Sequence, residues 1–172
     1  MVDKITLERI NLLHPKIRQE VEDIYLNEVV PSLTGGAYCR FAYTLRTFKE
    51  QDQLYAQGRT RLYDQFGKRL GRVTNAKGGQ SIHNYGLAFD IVLLVENGKS
   101  ATWDTVKDFD KDGKSDWMEI INIFKRHGWE WGGDWKNFKD RPHLEKNFGM
   151  SWKDMLALHK SGKVDKNGYI LI

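Results

Sequence analysis

Apolar and polar residues alternate at helical spacing in the first part of the chain. Pro15 is a residue type favoured in the first turn of a helix. Downstream of it, apolar side chains recur three and four residues apart and so share one face, at Ile17, Val21, Ile24 and Tyr25. We expect one amphipathic helix here, ended by Pro31 and the glycine pair at 35–36.

Two further stretches are typical of buried strands, and a helix cap lies between them. Residues 38–45 and 87–95 are rich in aromatic and β-branched side chains. Thr47 and Glu50 have the spacing of a capping box, which predicts a helix that runs to Gln57 before Gly58. Residues 60–80 hold many glycines and charges and few apolar positions, so we expect mostly loop.

The C-terminal part continues this mixture of short strands and helices. An apolar stripe predicts a helix over 116–127, ended by Gly128, and short strands are expected at 129–131 and 142–146. Ser151 and Asp154 resemble a second cap and predict a last helix to about residue 160. Helices interspersed with a few strands, without regular β–α–β alternation, predict an α+β fold.

Length, composition and charge narrow the class of protein. With 172 residues, 40% of them hydrophobic, the chain suits a single domain over 1–172 without a second, separate domain. No stretch reaches the roughly 18 apolar residues of a membrane helix. The N-terminus lacks a secretory signal, so we expect synthesis in the cytoplasm. The net charge of +4 is dispersed, which argues against nucleic-acid binding, and the single cysteine, Cys39, is typical of a small buried residue.

A histidine and an aspartate stand seven residues apart in the most informative motif, which runs from Ser81 to Asp90. His83 precedes Gly86, where the chain passes from loop to strand, and Asp90 lies four residues into that strand. The neighbours of Asp90 on both sides are apolar. A carboxylate in such a setting is costly unless it is paired or bound to a cation.

A second histidine, His143, follows Asp140 and Pro142 in another strand-like segment. Two histidines and one aspartate make a three-ligand set that leaves the fourth position of a tetrahedral zinc ion to water. Asp140 is then placed to take a proton from that water. From spacing alone two alternatives stay open: a hydrogen-bonded core histidine, and an aspartate that forms a salt bridge or ends a loop.

The two motifs together resemble a known family. Ser-x-His-x-x-Gly-x-Ala-x-Asp at 81–90, followed by Asp-x-Pro-His-Leu-Glu at 140–145, is similar to the zinc peptidases of the D-alanyl-D-alanine carboxypeptidase superfamily, which includes the hedgehog domain. Residues 45–60 resemble the segment before the zinc motif in L-alanyl-D-glutamate endopeptidases, many of them phage endolysins. The resemblance covers roughly residues 40–150 and implies a small antiparallel sheet flanked by helices.

The resemblance also implies a role for each motif residue. It implies zinc held by three ligands, His83, Asp90 and His143. It implies Asp140 as the general base, and Arg46 as a cation that contacts the substrate and stabilises the oxyanion. For Arg46 the alternative is a salt bridge at a helix start. Ser81 is expected to support the site by hydrogen bonding.

The same motifs indicate which bond is cut. The carboxypeptidase branch usually has a glutamate base followed by Trp-His, whereas this chain has Asp140 and the segment Trp-Gly-Gly-Asp-Trp at 131–135. We therefore expect a monomeric endolysin, without membrane insertion, that hydrolyses the L-Ala–D-Glu bond of bacterial peptidoglycan after release through a phage membrane pore. A D-Ala-D-Ala carboxypeptidase and a non-catalytic, zinc-stabilised wall-binding module are the alternatives.

An acidic loop outside these motifs is a candidate for a second metal. Residues 108–119 carry glycine at loop position 6 and carboxylates at positions 1, 3, 5, 9 and 12, the pattern of a calcium-binding EF-hand: Asp108, Asp110, Asp112, Asp116 and Glu119. Ser115 stands at position 8, where EF-hands prefer an apolar residue, and the sequence before the loop is a poor helix. The alternative is a solvated acidic loop that caps the helix at residue 116.

Overall fold

The computed structural model describes all residues from Met1 to Ile172 and contains six α-helices around one five-stranded sheet. The helices are α1 (Lys4–Ile10), α2 (Pro15–Ile24), α3 (Val30–Ser32), α4 (Phe48–Ala56), α5 (Asp116–Arg126) and α6 (Trp152–Lys160). The strands are β1 (Tyr38–Tyr43), β2 (Ala88–Val95), β3 (Ser100–Thr102), β4 (Glu130–Trp131) and β5 (His143–Glu145). Short 3₁₀ turns span Ile82–Tyr85 and Gly132–Asp134.

All strand pairs in the sheet are antiparallel. Four strands follow the order β1-β2-β5-β4, and β3 pairs with the far end of β2. The register places Asp90 opposite His143 and Ala88 opposite Glu145. The predicted α+β fold with a small antiparallel sheet is therefore confirmed, and β2 is the strand on which the rest of the sheet is assembled.

The two faces of β2 have different roles because side chains alternate along a strand. One face packs into the hydrophobic core with the apolar stripes of α2 and α5, through Ile17, Val21, Phe89, Ile91, Leu93, Ile120 and Phe124. Asp90 projects from the other face, as do His143 and Glu145 on β5, while Leu144 between them joins the core. The same strands thus bury apolar residues on one side and present polar ones on the other.

Local signals in the sequence predicted most helix boundaries. Thr47 and Glu50 form the expected capping box of α4, with Glu50 N–H donating to Thr47 Oγ1 at 3.2 Å. Ser151 and Asp154 cap α6 in the same way. The loop over 60–80 and the buried position of Cys39, whose pKa burial raises, also agree with the sequence.

The helical segment that starts at Pro15 ends close to where the sequence indicates, but it is not one regular α-helix. It continues through a π-helical turn, Tyr25–Val29, into α3, so that Pro31 lies inside the helical segment. The residues before Pro31 are already helical, so the proline removes one backbone donor from the segment, directly after the π-helical turn and one residue before the segment ends at Ser32. The segment ends at Ser32, between Pro31 and the glycine pair at 35–36, which agrees with the predicted end, although a π-helical turn interrupts the α-helix.

Two elements have no counterpart in the sequence prediction, α1 and β3. Asp3 caps α1 by accepting from Thr6 N–H at 3.1 Å, and its carboxylate also pairs with Arg40 on β1 at 2.8 Å. β3 is three residues long and exists by pairing with β2. No helix in the structure combines the length and apolar character needed to cross a membrane.

Candidate active site

Three side chains that are distant in sequence converge on one point of the polar sheet face. His83 Nε2 lies 3.2 Å from Asp90 Oδ1 and 3.1 Å from His143 Nδ1, and His143 Nδ1 lies 3.3 Å from the same Asp90 oxygen. Ligands about 2.0–2.1 Å from a tetrahedral zinc ion are about 3.3 Å apart. The three atoms therefore have the spacing of ligands to one ion.

The outer nitrogen of each histidine is held by an acceptor. His83 Nδ1–H donates to the Thr44 carbonyl at 2.7 Å, and His143 Nε2–H donates to Glu145 Oε2 at 2.8 Å. These bonds direct the lone pairs of His83 Nε2 and His143 Nδ1 inward. A metal-binding histidine is normally oriented by such a second hydrogen bond.

The charge distribution at this point also suits a cation. Burial by itself raises the pKa of Asp90, but His83 and His143 outweigh it and hold that pKa well below its usual range. Burial by itself lowers the pKa of His143, but Asp90 and Glu145 outweigh it and raise that pKa to about 9. The donor set and its surroundings thus fit a divalent metal such as zinc.

The turn that carries His83 is fixed from both sides. Asn84 Nδ2 donates to the Arg46 carbonyl at 2.9 Å, and Asn84 Oδ1 accepts from the Ser81 N–H at 3.2 Å. Gly86 ends the turn with φ +69°, and a Cβ at that position would lie 2.8 Å from the His14 backbone nitrogen. Ser81 begins the turn, and the hydrogen bond from its backbone N–H to Asn84 Oδ1 stabilises the turn. A glycine is required where the turn enters β2.

The three candidate ligands lie in a cavity of about 570 Å³ that also contains Asp140. Asp140 is held close to the 3₁₀ turn, because its N–H donates to the Gly132 carbonyl at 3.0 Å. Burial raises the pKa of its carboxyl, and the nearby Asp90 carboxylate raises it further. Only burial and nearby charges, and no hydrogen bond, act on the pKa of this carboxyl, so its oxygens are available to accept a proton.

Arg46 lies in the same cavity, as its expected role requires. Its Nη2 is 3.6 Å from Asp90 Oδ2, the oxygen that does not face the histidines. Its Nη1 donates to Gln51 Oε1 at 2.9 Å, and its buried Nε–H has no partner. The bond to Gln51 in α4 and the ion pair with Asp90 are also contacts that the alternative, a salt bridge at a helix start, predicts.

Three contributors to the site had no role in the sequence analysis. Glu145 was part of the motif, and its position two residues after His143 on a strand places it on the same face. Asn84 lies inside the first motif, and its role depends on a contact with a distant backbone carbonyl. The Thr44 carbonyl has no signal in the sequence, because any residue type supplies one.

The acidic loop forms a second, separate cluster. One oxygen each from Asp108, Asp110 and Asp116 lies within 4.8 Å of the others. The remaining two candidates instead pair with an ammonium group, since Lys114 Nζ lies 3.0 Å from Asp112 and 3.3 Å from Glu119. The structure therefore brings together three of the five residues of the calcium pattern.

The cavity contains two histidines and an aspartate at ligand spacing. An unpaired carboxylate and an arginine lie beside them, and together these groups define a metallopeptidase site. The model of the D-alanyl-D-alanine carboxypeptidase family matches residues 74–146 of the chain. The sequence is 45% identical over 133 residues to the peptidoglycan L-alanyl-D-glutamate endopeptidase CwlK of Bacillus subtilis (strain 168), covering 77% of this chain and 72% of that protein.

Two further proteins are similar over different extents. The L-alanyl-D-glutamate peptidase of Listeria phage A118 is 38% identical over 69 residues, which are 40% of this chain and 22% of that protein. The crystal structure of the Serratia marcescens L-Ala D-Glu endopeptidase ChiX superposes with a TM-score of 0.54 and 18% identity, over 86% of this chain and 90% of that one, and shows a shared fold. The chain belongs to the D-alanyl-D-alanine carboxypeptidase family, alongside CwlK.

Proposed function

We propose that the protein is a zinc-dependent endopeptidase that hydrolyses the L-alanyl–D-glutamate bond in the stem peptide of bacterial peptidoglycan. The observation that carries this proposal is the convergence of His83, Asp90 and His143 with Asp140 in one cavity. The 45% identity to CwlK supports the choice of bond. The similarity to the L-alanyl-D-glutamate peptidase of a Listeria phage agrees with this choice. The proposal includes action as a monomer that reaches the wall through a phage membrane pore.

The ligand set determines what chemistry is available in the cavity. A zinc ion on His83, Asp90 and His143 would lower the pKa of water and polarise the scissile carbonyl. Asp90 neutralises part of the ion's charge, and the hydrogen bonds to Glu145 and the Thr44 carbonyl keep the histidine rings oriented.

Asp140 moves the proton in the proposed reaction. Its carboxylate accepts a proton from the attacking water while the water oxygen bonds to the carbonyl carbon. The C–N bond then breaks, and Asp140 returns the proton to the leaving amine of D-glutamate. The backbone hydrogen bond to Gly132 holds this carboxylate at the cavity throughout.

Arg46 stabilises the negative charge that develops on the carbonyl oxygen. Its guanidinium is mostly buried, so its charge is less screened than that of a surface arginine. The unpaired Nε–H offers a donor to the oxyanion or to a substrate carboxylate.

The decisive experiment is digestion of purified peptidoglycan, followed by identification of the new termini. We expect L-alanine at new C-termini and D-glutamate at new N-termini, with activity lost on chelation and restored by zinc. Free D-alanine as the main product would replace the proposal with a D-Ala-D-Ala carboxypeptidase. Tight zinc binding without any product would favour the non-catalytic wall-binding module.

A further inference from the structure

The acidic cluster in the loop before α5 lies outside the cavity and has no role in peptide hydrolysis. Oxygens of Asp108, Asp110 and Asp116 lie within 4.8 Å of one another. No lysine, arginine or histidine forms an ion pair with any of these three carboxylates. Calcium binds oxygens at 2.3–2.6 Å, so its ligands lie up to about 5 Å apart, and the cluster has that size.

Asp116 provides an independent indication of a ligand. Its side chain is completely buried at the start of α5, and its Oδ2 has no hydrogen-bond partner. Its Oδ1 accepts from the Phe109 N–H at 3.1 Å, and the Asp110 backbone also lies near the carboxylate. An unpaired buried carboxylate oxygen costs free energy unless a cation or donor satisfies it. One oxygen of the Asp116 carboxylate lies within 4.8 Å of oxygens of Asp108 and Asp110, so a cation shared by the three would reach this carboxylate.

The backbone of the loop is already folded around the cluster. Gly113, at loop position 6, has φ +93°, and its N–H donates to Asp108 Oδ2 at 2.9 Å. Glu119, at position 12, has a buried Oε2 without a partner, while its Oε1 faces Lys114. The Lys114 side chain is 66% exposed and free to turn outward.

We infer that residues 108–119 bind one calcium ion through Asp108, Asp110 and Asp116, joined by Asp112 and Glu119 when Lys114 withdraws. Position 7 of the loop, Lys114, supplies its backbone carbonyl in such sites. The entering helix of an EF-hand is missing here, since residues 103–115 contain no helix. The site is thus a calcium loop attached to one helix, α5.

The ion would connect three parts of the fold. Asp110 Oδ2 accepts from Thr34 N–H at 2.8 Å, beyond the end of α3, and Ser115 Oγ donates to the Thr105 carbonyl at 3.0 Å. Asp116 begins α5, which packs into the core. Calcium bound here therefore stabilises the fold, and the inference stands whether or not the proposed bond specificity is right.

The test is calorimetric titration of the zinc-loaded protein with calcium chloride, together with thermal unfolding. We expect one calcium ion per chain and a rise in Tm of about 5–10 °C at a hundredfold excess over Kd. Magnesium at the same concentration should produce a much smaller rise, because it requires a tighter octahedral geometry.

The variants Asp108→Asn and Asp112→Asn should lose the calcium-induced rise in Tm. The matched control is Asp104→Asn, since Asp104 is an exposed aspartate just before the loop that accepts the Val106 N–H at 2.8 Å. This control should respond like the wild type. The inference is overturned by a wild type that gives neither heat nor a Tm rise at millimolar calcium. Equal responses to magnesium, or an unchanged response in both loop variants, overturn it as well.

Discussion

His143 and Glu145 project from the same face of β5, and the Nε2 of the histidine lies 2.8 Å from Oε2 of the glutamate. The other ring nitrogen of His143 faces Asp90 and His83. The His143 ring is thus held between the candidate metal site and the buried carboxylate of Glu145. Glu145 thereby decides which nitrogen of His143 is available as a ligand.

Replacing Glu145 with alanine should weaken zinc binding about 10–100-fold, because His143 loses the acceptor that orients it. Glu145→Gln should lose less zinc affinity, since the glutamine amide oxygen still accepts a hydrogen bond from His143 Nε2–H. Competition with a chromogenic chelator measures both affinities. Glu130→Ala is the matched control, because Glu130 is an exposed residue opposite Glu145 in the sheet. An unchanged affinity in Glu145→Ala would contradict the assigned role.

Asp140→Asn should reduce kcat about 10²–10⁴-fold while zinc affinity stays near that of the wild type. An amide of nearly the same shape cannot accept the proton, but the three ligands are untouched. Peptide release from purified peptidoglycan gives the rate, and chelator competition gives the affinity. Asp134→Asn, at an exposed aspartate that pairs with Lys125, should retain full activity. Wild-type turnover in Asp140→Asn would remove it as the base.

Arg46→Met should lower kcat about 10²–10³-fold, because the cation near the developing oxyanion is lost. A loss confined to KM would instead assign Arg46 to substrate binding alone. The kcat of Arg46→Lys should lie between those of the wild type and Arg46→Met, because lysine keeps the charge but not the guanidinium donors. Arg61→Met, at an exposed arginine, serves as the control.

Gly86→Ala should destabilise the protein by about 3 kcal/mol, since a Cβ there combines a left-handed backbone with a close backbone contact. Gly128→Ala has a similar positive φ with nothing within 4 Å of its Cβ, and should cost only about 1 kcal/mol. Urea denaturation of the two variants gives the comparison. Equal losses of unfolding free energy in the two variants would show that the backbone at His14 moves away from the added Cβ with little loss of stability.

His14 predicts a pH dependence of stability away from the active site. Its Nδ1 accepts the Lys16 N–H at the start of α2, and its Nε2–H donates to the Ile170 carbonyl. Burial lowers the pKa of His14 below 6.5, so the unfolded chain takes up this proton first as the pH falls. The contribution of His14 to stability is therefore present above about pH 6.5 and is lost on acidification.

His14→Asn tests this, because asparagine still caps a helix but does not titrate. The free energy of unfolding should fall more steeply between pH 7 and pH 5 in the wild type than in the variant. Parallel curves would show that the protonation of His14 has no effect on folding.

The sequence alone determined the features that depend on neighbours in the chain. Capping boxes at Thr47 and Ser151, the loop at 60–80 and the buried run of β2 are local patterns, and each appears in the structure. An aspartate among apolar strand residues indicated a paired or cation-bound carboxylate. The family resemblance of the two motifs then selected His83, Asp90 and His143 as the candidate ligands. The residue types and short spacings of the two motifs indicated the chemistry of the site.

Only the tertiary structure decided which atoms meet. The pairing of β2 with β5 brings Asp90 opposite His143 across 53 positions of sequence, and the Thr44 carbonyl reaches His83 across 39. The β3 strand escaped prediction because it is only three residues long and depends on its pairing with the end of β2. The role of Asp3 includes a long-range ion pair with Arg40 on β1 besides its local cap of α1. In the acidic loop, the local pattern named five carboxylates, but side-chain packing separates three that converge from two that hold Lys114. Long-range register and packing, which no short window of sequence contains, account for the difference.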